Sequence, residues 1–566
     1  MTSGDFEKAK HLPLGKSTGS RKTFDQIMTW LKKCVSAHDC GAVRLKDPHF
    51  LPSRLVCVER PVRIVERTEV DPGDVYLTLS HCWGEANHLT LTTDNFEEFK
   101  TALPMQRLPA TFSDAITLTQ VLGKRYIWID SLCIIQNCTE DWETEANTMW
   151  EVYSNSYLNI SATSAKNSSE GLFREGRSVF PSHATVLPGH PIIPEGMYTW
   201  YCEHDWDDEV ENGSVNRRAW VLQERCLSPR VVHFCSEQVF WECNILSSSE
   251  AFPEHLPLDF KCTSKPPALY RLTNVETKDP AHLANLWNKI VASYTGSKLT
   301  NASDKLVAIA ALARKVSEAY GDTAGRYCAG FWKDIIIRHL CWSPASGSTV
   351  RATGEDHRAP SWSWASVDGP VSLPVDWEFS MNRYMAIITD VVIHQENDYA
   401  PRIEGELHCS GPLLTASLLE YGGGFCSLRL SGAGHELEFA ARMDGGSNRK
   451  NGFPFEVYLM PVEATLQFIS EVSTKGLILA PTSDGLHHFE RIGNILGPLR
   501  EPSALDFFTI LGNQDEIQSA CVRKSGTLNL EETFARVDIW ESDEDYNELL
   551  SQLEPFNCNI YDFTIV

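Results

Sequence analysis

Val75-Tyr76-Leu77-Thr78-Leu79-Ser80-His81-Cys82-Trp83-Gly84 is the stretch from which the rest of the chain can be read. Val75 to Ser80 has the β-branched and aromatic content of a strand, and His81-Cys82-Trp83-Gly84 breaks it. After a polar loop, Leu108-Pro109 opens a helix with Phe112, Ala115, Ile116, Thr119 and Leu122 on one face, and Gly123 is placed to end it. Arg125-Tyr126-Ile127-Trp128-Ile129-Asp130 reads as a second strand. A helix over Asp141 to Ser154 follows, then a third strand over Ser156 to Ala162. Strands joined by helical crossovers form parallel sheets. Ser80 and Asp130 end the first two strands, and the carboxyl ends of strands in open α/β sheets are where ligands bind.

Upstream, Phe24, Ile27, Leu31 and Val35 repeat at helical steps, and Arg54 to Arg67 is strand-rich. Downstream, the region after Gly171 reads as loops carrying Pro181, Pro188, Pro191 and Pro194. Arg218 to Arg225 reads as a short helix, and Val231–Phe234 and Gln238–Glu242 as strands. Ser303 to Tyr320 reads as a helix capped by Ser303, with another over Ala329 to Leu340. From about residue 382 the chain turns β-rich and antiparallel, a sandwich or barrel, with turns at Gly422–Gly424 and Gly445-Gly446. The expected division is an N-terminal helix and strand segment (1–70), an α/β core (71–245), a helical extension packing on it (246–381), and a β-rich domain with an acidic tail (382–566).

At 566 residues and roughly 150 residues per domain, two to four units are expected. The 50 basic and 75 acidic residues give a formal charge of -25, which repels phosphate backbones and argues against a nucleic-acid partner. Residues 531–566 are the steepest part, with ten acids against one base, Arg536; such runs are normally solvated. No apolar run approaches the ~18 residues of a membrane span, and the N-terminus has no signal-peptide core. Cytoplasmic residence is therefore expected. The 17 cysteines form no C-x-x-C pair, and neither Cys133/Cys138 nor Cys235/Cys243 has ligand spacing. Reduced thiols and no metal are the reading.

The blocks Tyr76–Gly84, Leu108-Pro109-Ala110-Thr111-Phe112-Ser113-Asp114-Ala115-Ile116, Tyr126–Gln136, Asp141-Trp142-x-x-Glu145-x-x-x-Met149, Val152–Ser156 and Arg218–Arg225 stand in an order that resembles heterokaryon incompatibility (HET) domain proteins of filamentous fungi. Tyr327–Trp332 and Ala359–Gly369 extend the resemblance. His81 and Ser156 depart from it, standing where many members have Tyr and Ala. The resemblance implies non-self recognition and defence signalling that ends in programmed cell death after fusion of unlike hyphae. A more remote likeness to the Toll/interleukin-1 receptor (TIR) fold implies a flavodoxin-like or TIR-like parallel sheet and, by analogy with some TIR proteins, NAD hydrolysis.

Cleavage of the nicotinamide–ribose bond needs a carboxylate to stabilise oxocarbenium-like charge, and no general acid, because the leaving group is already cationic. At about 100° per residue from Trp142, a stripe of Trp142, Ala146, Met149 and Tyr153 faces inward, Glu143 and Glu151 face outward, and Glu145 sits about 60° to one side. Glu145 at the edge of a core is thus the candidate catalytic acid, against the alternative of a flank carboxylate paired with Arg or Lys. Asp130 is a candidate for ribose hydroxyls, or else caps the next turn. Trp83 is a candidate stacking surface, and Ser80 completes the substrate-binding set. Cys133, among Leu132, Ile134 and Ile135, reads as a buried inert thiol, and Glu224 and Arg225 as members of internal salt bridges. No cofactor is expected beyond NAD as a substrate. The competing reading is a non-catalytic interaction module, with a protein partner or self-assembly; a Glu145 locked in a salt bridge far from any cleft would favour it, whereas Glu145, Asp130 and Trp83 converging on one cleft would favour the enzyme.

Overall fold

The structure is a computed structural model. It describes residues 14–38, 40, 50–84, 89–177, 183–187, 196–200, 204–256, 279–345, 350–352, 357–374, 382–395, 402–421, 425–432, 435–444, 455–467, 471–482, 488–498, 507, 509–511, 517, 523–529 and 557–566. The glycine turns expected at 422–424 and 445–446, and most of the acidic stretch from 531, lie outside these residues. The chain divides into two compact units, Met1–Val275 and Glu276–Val566.

The first unit is built on one sheet. Its strands are β1 (Arg54–Cys57), β2 (Arg63–Glu66), β3 (Tyr76–Ser80), β4 (Tyr126–Trp128) and β5 (Leu158–Ser161). A separate hairpin, β6 (His183–Leu187) with β7 (Gly196–Trp200), intervenes where the prolines had suggested loops alone. The sheet then takes β8 (Arg230–Phe234), β9 (Val239–Cys243) and β10 (Ser247–Ser249), in the spatial order β10-β9-β8-β5-β3-β4-β1-β2. The middle four, β8-β5-β3-β4, are parallel, and the flanking pairs are antiparallel. The chain leaves β3 for β4 on one side and returns to β5 on the other. That is the flavodoxin-like order, with its switch point between β3 and β5.

Among the described residues of this unit the α-helices are α1 (Arg21–Ala37), α2 (Phe96–Thr101), α3 (Ala110–Val121), α4 (Asp130–Cys133), α5 (Thr139–Ser154) and α6 (Ala219–Leu227). Helix α3 follows Pro109 and closes as the sequence predicts. Gly123 takes φ 66, and the amides of Gly123 and Lys124 bond back to the carbonyls of Gln120 and Thr119, a Schellman closure that L-residues with a Cβ form poorly. Every residue of β3, β8 and β9 is buried, as expected for a sheet covered on both faces. Leu77, Ile127, Trp128, Ile160 and Val232 form the centre of the core.

Two helical faces differ from the periodicity reading. In α1 the inward set is Thr23, Ile27, Trp30, Leu31 and Cys34, while Val35 is exposed. In α5 the inward set is Glu145, Ala146, Met149, Val152 and Tyr153, whereas Trp142 is exposed. The stripe is rotated toward Glu145 because Arg54 offers that carboxylate a charged partner inside the unit, so a polar side chain takes an inner position.

In the second unit, α7 (Pro280–Thr295) is capped by Asp279, whose side chain accepts from the His282 amide. Helix α8 (Val307–Tyr320) is preceded by a 3-10 turn at Ala302–Lys305, so Ser303 is not its cap. The helix expected over Ala329 to Leu340 is instead a two-strand turn, a 3-10 turn and a short helix at Ile336–His339. Gly330 and Ala329, both at positive φ, interrupt the helical run. An eleven-stranded sheet follows, antiparallel except for one pair, confirming the β-rich reading. Fully buried Arg491 grips Asp444 at 2.8 and 3.0 Å and donates to the carbonyls of Leu340 and Trp342, tying this sheet to the segment before it. Among the described residues, no helix is long and apolar enough to cross a membrane.

Candidate functional site

The parallel register aligns Ser80 with Ser161, and Ser161 with His233, along the carboxyl edge of the sheet. Residues two apart on a strand share a face, so Thr78 and Ser80 point the same way. Asn159, opposite Thr78 on β5, joins them: the Thr78 hydroxyl donates to its Oδ1 at 3.1 Å, and its Nδ2 donates to Ser80 Oγ at 3.0 Å. The Ser80 hydroxyl in turn donates to Glu224 Oε2, which reaches over from α6. Tyr153 of α5 completes the group, its hydroxyl hydrogen-bonded to the Glu224 carboxyl and lying 3.4 Å from the Leu79 carbonyl oxygen. Side chains from β3, β5 and α5 thus form one hydrogen-bonded group around the Glu224 carboxyl of α6 at the switch point, with Ser80 and Tyr153 in direct contact with it.

Burial pushes the Glu224 carboxyl up to about 7; the Arg218 charge and the bonds from Ser80 and Tyr153 oppose this, and Asp130 adds to it. Burial likewise drives the Tyr153 hydroxyl well above its ordinary value. Glu224 can therefore exist in both protonation states near neutral pH, the condition for an acid–base or charge-stabilising group.

Beside this group lies a second, less buried one. Asp130 opens α4, accepts from the Ser131 amide at 2.6 Å, and accepts from Trp83 Nε1 at 2.8 Å. His81 Nδ1 is 3.7 Å from Asp130 Oδ1, and its ring packs edge-on against Phe112. Arg218, at the start of α6, donates to the His81 carbonyl. Gly84 lets the chain turn away at φ 76, where a Cβ would lie 2.4 Å from that of Asn167. Trp83 and Asp130 are half-buried and form the outer edge of the site.

Of the residues singled out from sequence, Ser80, Trp83 and Asp130 are therefore brought together. Glu145 belongs to another group. Arg54 grips Asp141 at 2.6 and 2.7 Å and Glu145 at 3.3 Å, and donates to the Cys133 carbonyl. Burial raises the Glu145 carboxyl, against a hydrogen bond from Ser53 and the Arg54 charge. Cys133 is fully buried and its thiol is pushed up to about 12, an inert group.

Arg225 does form internal ion pairs, with Glu242 at 2.9 Å and Glu211 at 3.1 Å, whereas Glu224, one residue earlier on the helix, faces the serine. Burial opposes ionisation of Glu242, but Arg225 and His233 hold it down to about 2. The sequence reading assigned Glu224 to an internal salt bridge and passed over Asn159; in the structure the Glu224 carboxyl is bonded to Ser80 and Tyr153. A polar residue inside the central strand Leu158–Ser161 was the available signal for Asn159; for Glu224, neighbouring helix positions facing different partners left none.

Residues 76–224 match the model of the heterokaryon incompatibility protein (HET) family. The match opens on β3 and closes on Glu224, so it encloses both polar groups. No curated protein and no solved structure matches the chain.

Proposed function

Since residues 76–224 are a HET domain, we propose that the protein is a cytoplasmic effector of fungal heterokaryon incompatibility, whose activation leads to cell death. We infer that it works through the site at the carboxyl ends of β3 and β5. The observation that carries this reading is the enclosed Glu224 carboxyl, shifted to about 7 and held by Ser80 and Tyr153 at the switch point of the sheet. A buried carboxyl with hydroxyl partners is costly for stability, which supports a functional reason for its presence.

The chemistry favoured by that group is hydrolysis of NAD or a related nucleotide. In such a step the C1′–N bond of the ribose breaks, nicotinamide leaves with the bonding pair, water adds at C1′, and one proton is released. Ionised Glu224 would stabilise the positive charge on the ribose. Trp83 offers a ring at the outer edge, and Asp130 an acceptor for a hydroxyl. The pairing of Glu145 with Arg54 supports a structural role for that carboxylate. A non-catalytic module is the opposing reading, favoured by the ion pair that holds Glu145 and by a cavity of about 440 Å³ in the second unit, where Arg351, His357, His394, Glu404 and Glu490 stand among apolar lining such as Ala359, Pro360 and Val566.

The test is inducible expression of the full chain and of Glu224→Gln in a filamentous fungus, following viability and cellular NAD at matched protein level. The expected result is death with NAD loss for wild type and neither for the variant. Death without NAD loss, equal in both, would favour the interaction reading. No death from either would remove the effector assignment.

A further inference from the structure

Within the first unit, Cys34, His38, Cys40 and Cys243 bring one donor atom each to within 4.8 Å of one another. Cys34 lies in the last turn of α1, His38 is the residue after it, Cys40 follows in the turn, and Cys243 ends β9. The three cysteines are buried and His38 is half-buried. We propose that these four side chains form a structural zinc site that clamps the end of α1 to the edge of the sheet.

Three observations support a metal rather than a chance cluster of thiols. The first is the donor set. Three sulfurs and one imidazole satisfy tetrahedral zinc completely, with no open position, as structural sites do. Zinc–sulfur bonds of about 2.3 Å place tetrahedral sulfurs about 3.8 Å apart, so closure asks little of the donors. His38 Nδ1 is already 3.5 Å from Cys243 Sγ.

The second is the surround of the sulfurs. The backbone amides of Ile245 and Leu246 face Cys243, that of Asn244 faces Cys40, and Arg230 Nε donates to Cys34 Sγ at 3.2 Å. Amides and a guanidinium aimed at sulfur suit thiolates, the form that binds zinc, and offset the charge that three thiolates leave on the site. A disulfide would use two of the sulfurs and leave the third, the imidazole and these donors unexplained.

The third is the mechanical setting. Trp30 of α1 stacks on Trp241 of β9 at 6.1 Å, and Trp30 Nε1 donates to the Pro253 carbonyl, so α1 and β9 are held side by side at the site. Binding would release one proton from each thiol, while the imidazole contributes a lone pair and no redox change occurs.

The experiment is elemental analysis of the full chain purified without added metal. We expect about one zinc per chain in wild type and in Cys138→Ser, which removes a thiol elsewhere, and near-complete loss in Cys243→Ser and Cys40→Ser. Because those variants can misfold, the wild-type chain is also stripped under reducing conditions and titrated with Co²⁺. Thiolate-to-cobalt charge transfer with tetrahedral visible bands, displaced by one equivalent of Zn²⁺, is the expected signature. Wild type that neither carries zinc nor takes up Co²⁺ would overturn the assignment. So would Cys243→Ser that keeps its zinc, or a disulfide among Cys34, Cys40 and Cys243 in freshly isolated protein.

Discussion

Ser80, at the end of the central strand, donates its hydroxyl hydrogen to Glu224, 144 residues further along the chain. The bond spans the whole HET match, from its first strand to its last residue. It places a carboxyl that titrates near neutrality where the parallel strands diverge. The consequences can be measured.

The pH dependence of stability isolates Glu224. Its carboxyl is raised from 4.5 to about 7 in the fold, so the folded state binds this proton more tightly than the unfolded chain. The stabilisation is complete below about pH 4.5 and is lost as pH rises through 7. Glu224→Gln removes the titration and keeps an acceptor for Ser80. Urea midpoints of the two proteins should coincide near pH 5 and separate above pH 7, the variant gaining on the order of 3 kcal/mol. Parallel profiles would mean that Glu224 does not titrate in this range.

Glu145 should behave as a structural carboxylate. Arg54 keeps Asp141 when Glu145 is lost, so Glu145→Ala is expected to cost about 1–3 kcal/mol, the price of one charged hydrogen bond and a little packing. Glu145→Gln should cost less and leave cell killing at the wild-type level. A variant that folds as well as wild type but fails to kill would instead place Glu145 in the site.

The Arg225–Glu242 pair is the stronger structural bond. Glu242 is held down to about 2, so its contribution is present above its ordinary value and disappears as pH falls toward 2. Removing it leaves buried Arg225 with Glu211 as its acidic partner among the described residues. Glu242→Ala should therefore cost roughly 3–5 kcal/mol in urea unfolding at pH 7, and much less near pH 2.

Gly84 and Gly123 form a controlled comparison. Both take positive φ, but a Cβ at Gly84 meets Asn167 at 2.4 Å and one at Gly123 meets nothing within 4 Å. Gly123→Ala should cost only the backbone term of roughly 1–2 kcal/mol. Gly84→Ala should cost more and disturb Trp83, which thermal unfolding and activity together would show. Equal losses would mean that the loop before Asn167 yields freely.

The strands and crossovers between residues 75 and 162, and the β-rich second half, were legible because each announces itself within a dozen residues: runs of Val, Ile, Leu and aromatics, a Pro before α3, a Gly after it. The order of family blocks carried the HET identification for the same reason; Ser80 does end its strand, whereas the second strand stops at Trp128 and Asp130 opens the short helix after it. Periodicity also located α5, yet assigned its inner face to Trp142. Hydrophobic pattern has no term for an arginine waiting on β1, and Arg54 turned Glu145 inward.

What only the tertiary structure decided is which polar groups meet. Ser80 finds Glu224, Arg225 turns from its neighbour to Glu242, and His38 finds Cys243 across 205 residues. Local sequence sets φ and ψ and the side of an element that shuns water. Hydrogen bonds and metal-ligand sets are formed between elements whose proximity is a property of the packed sheet, and the residues at their two ends bear no mark of each other in the chain.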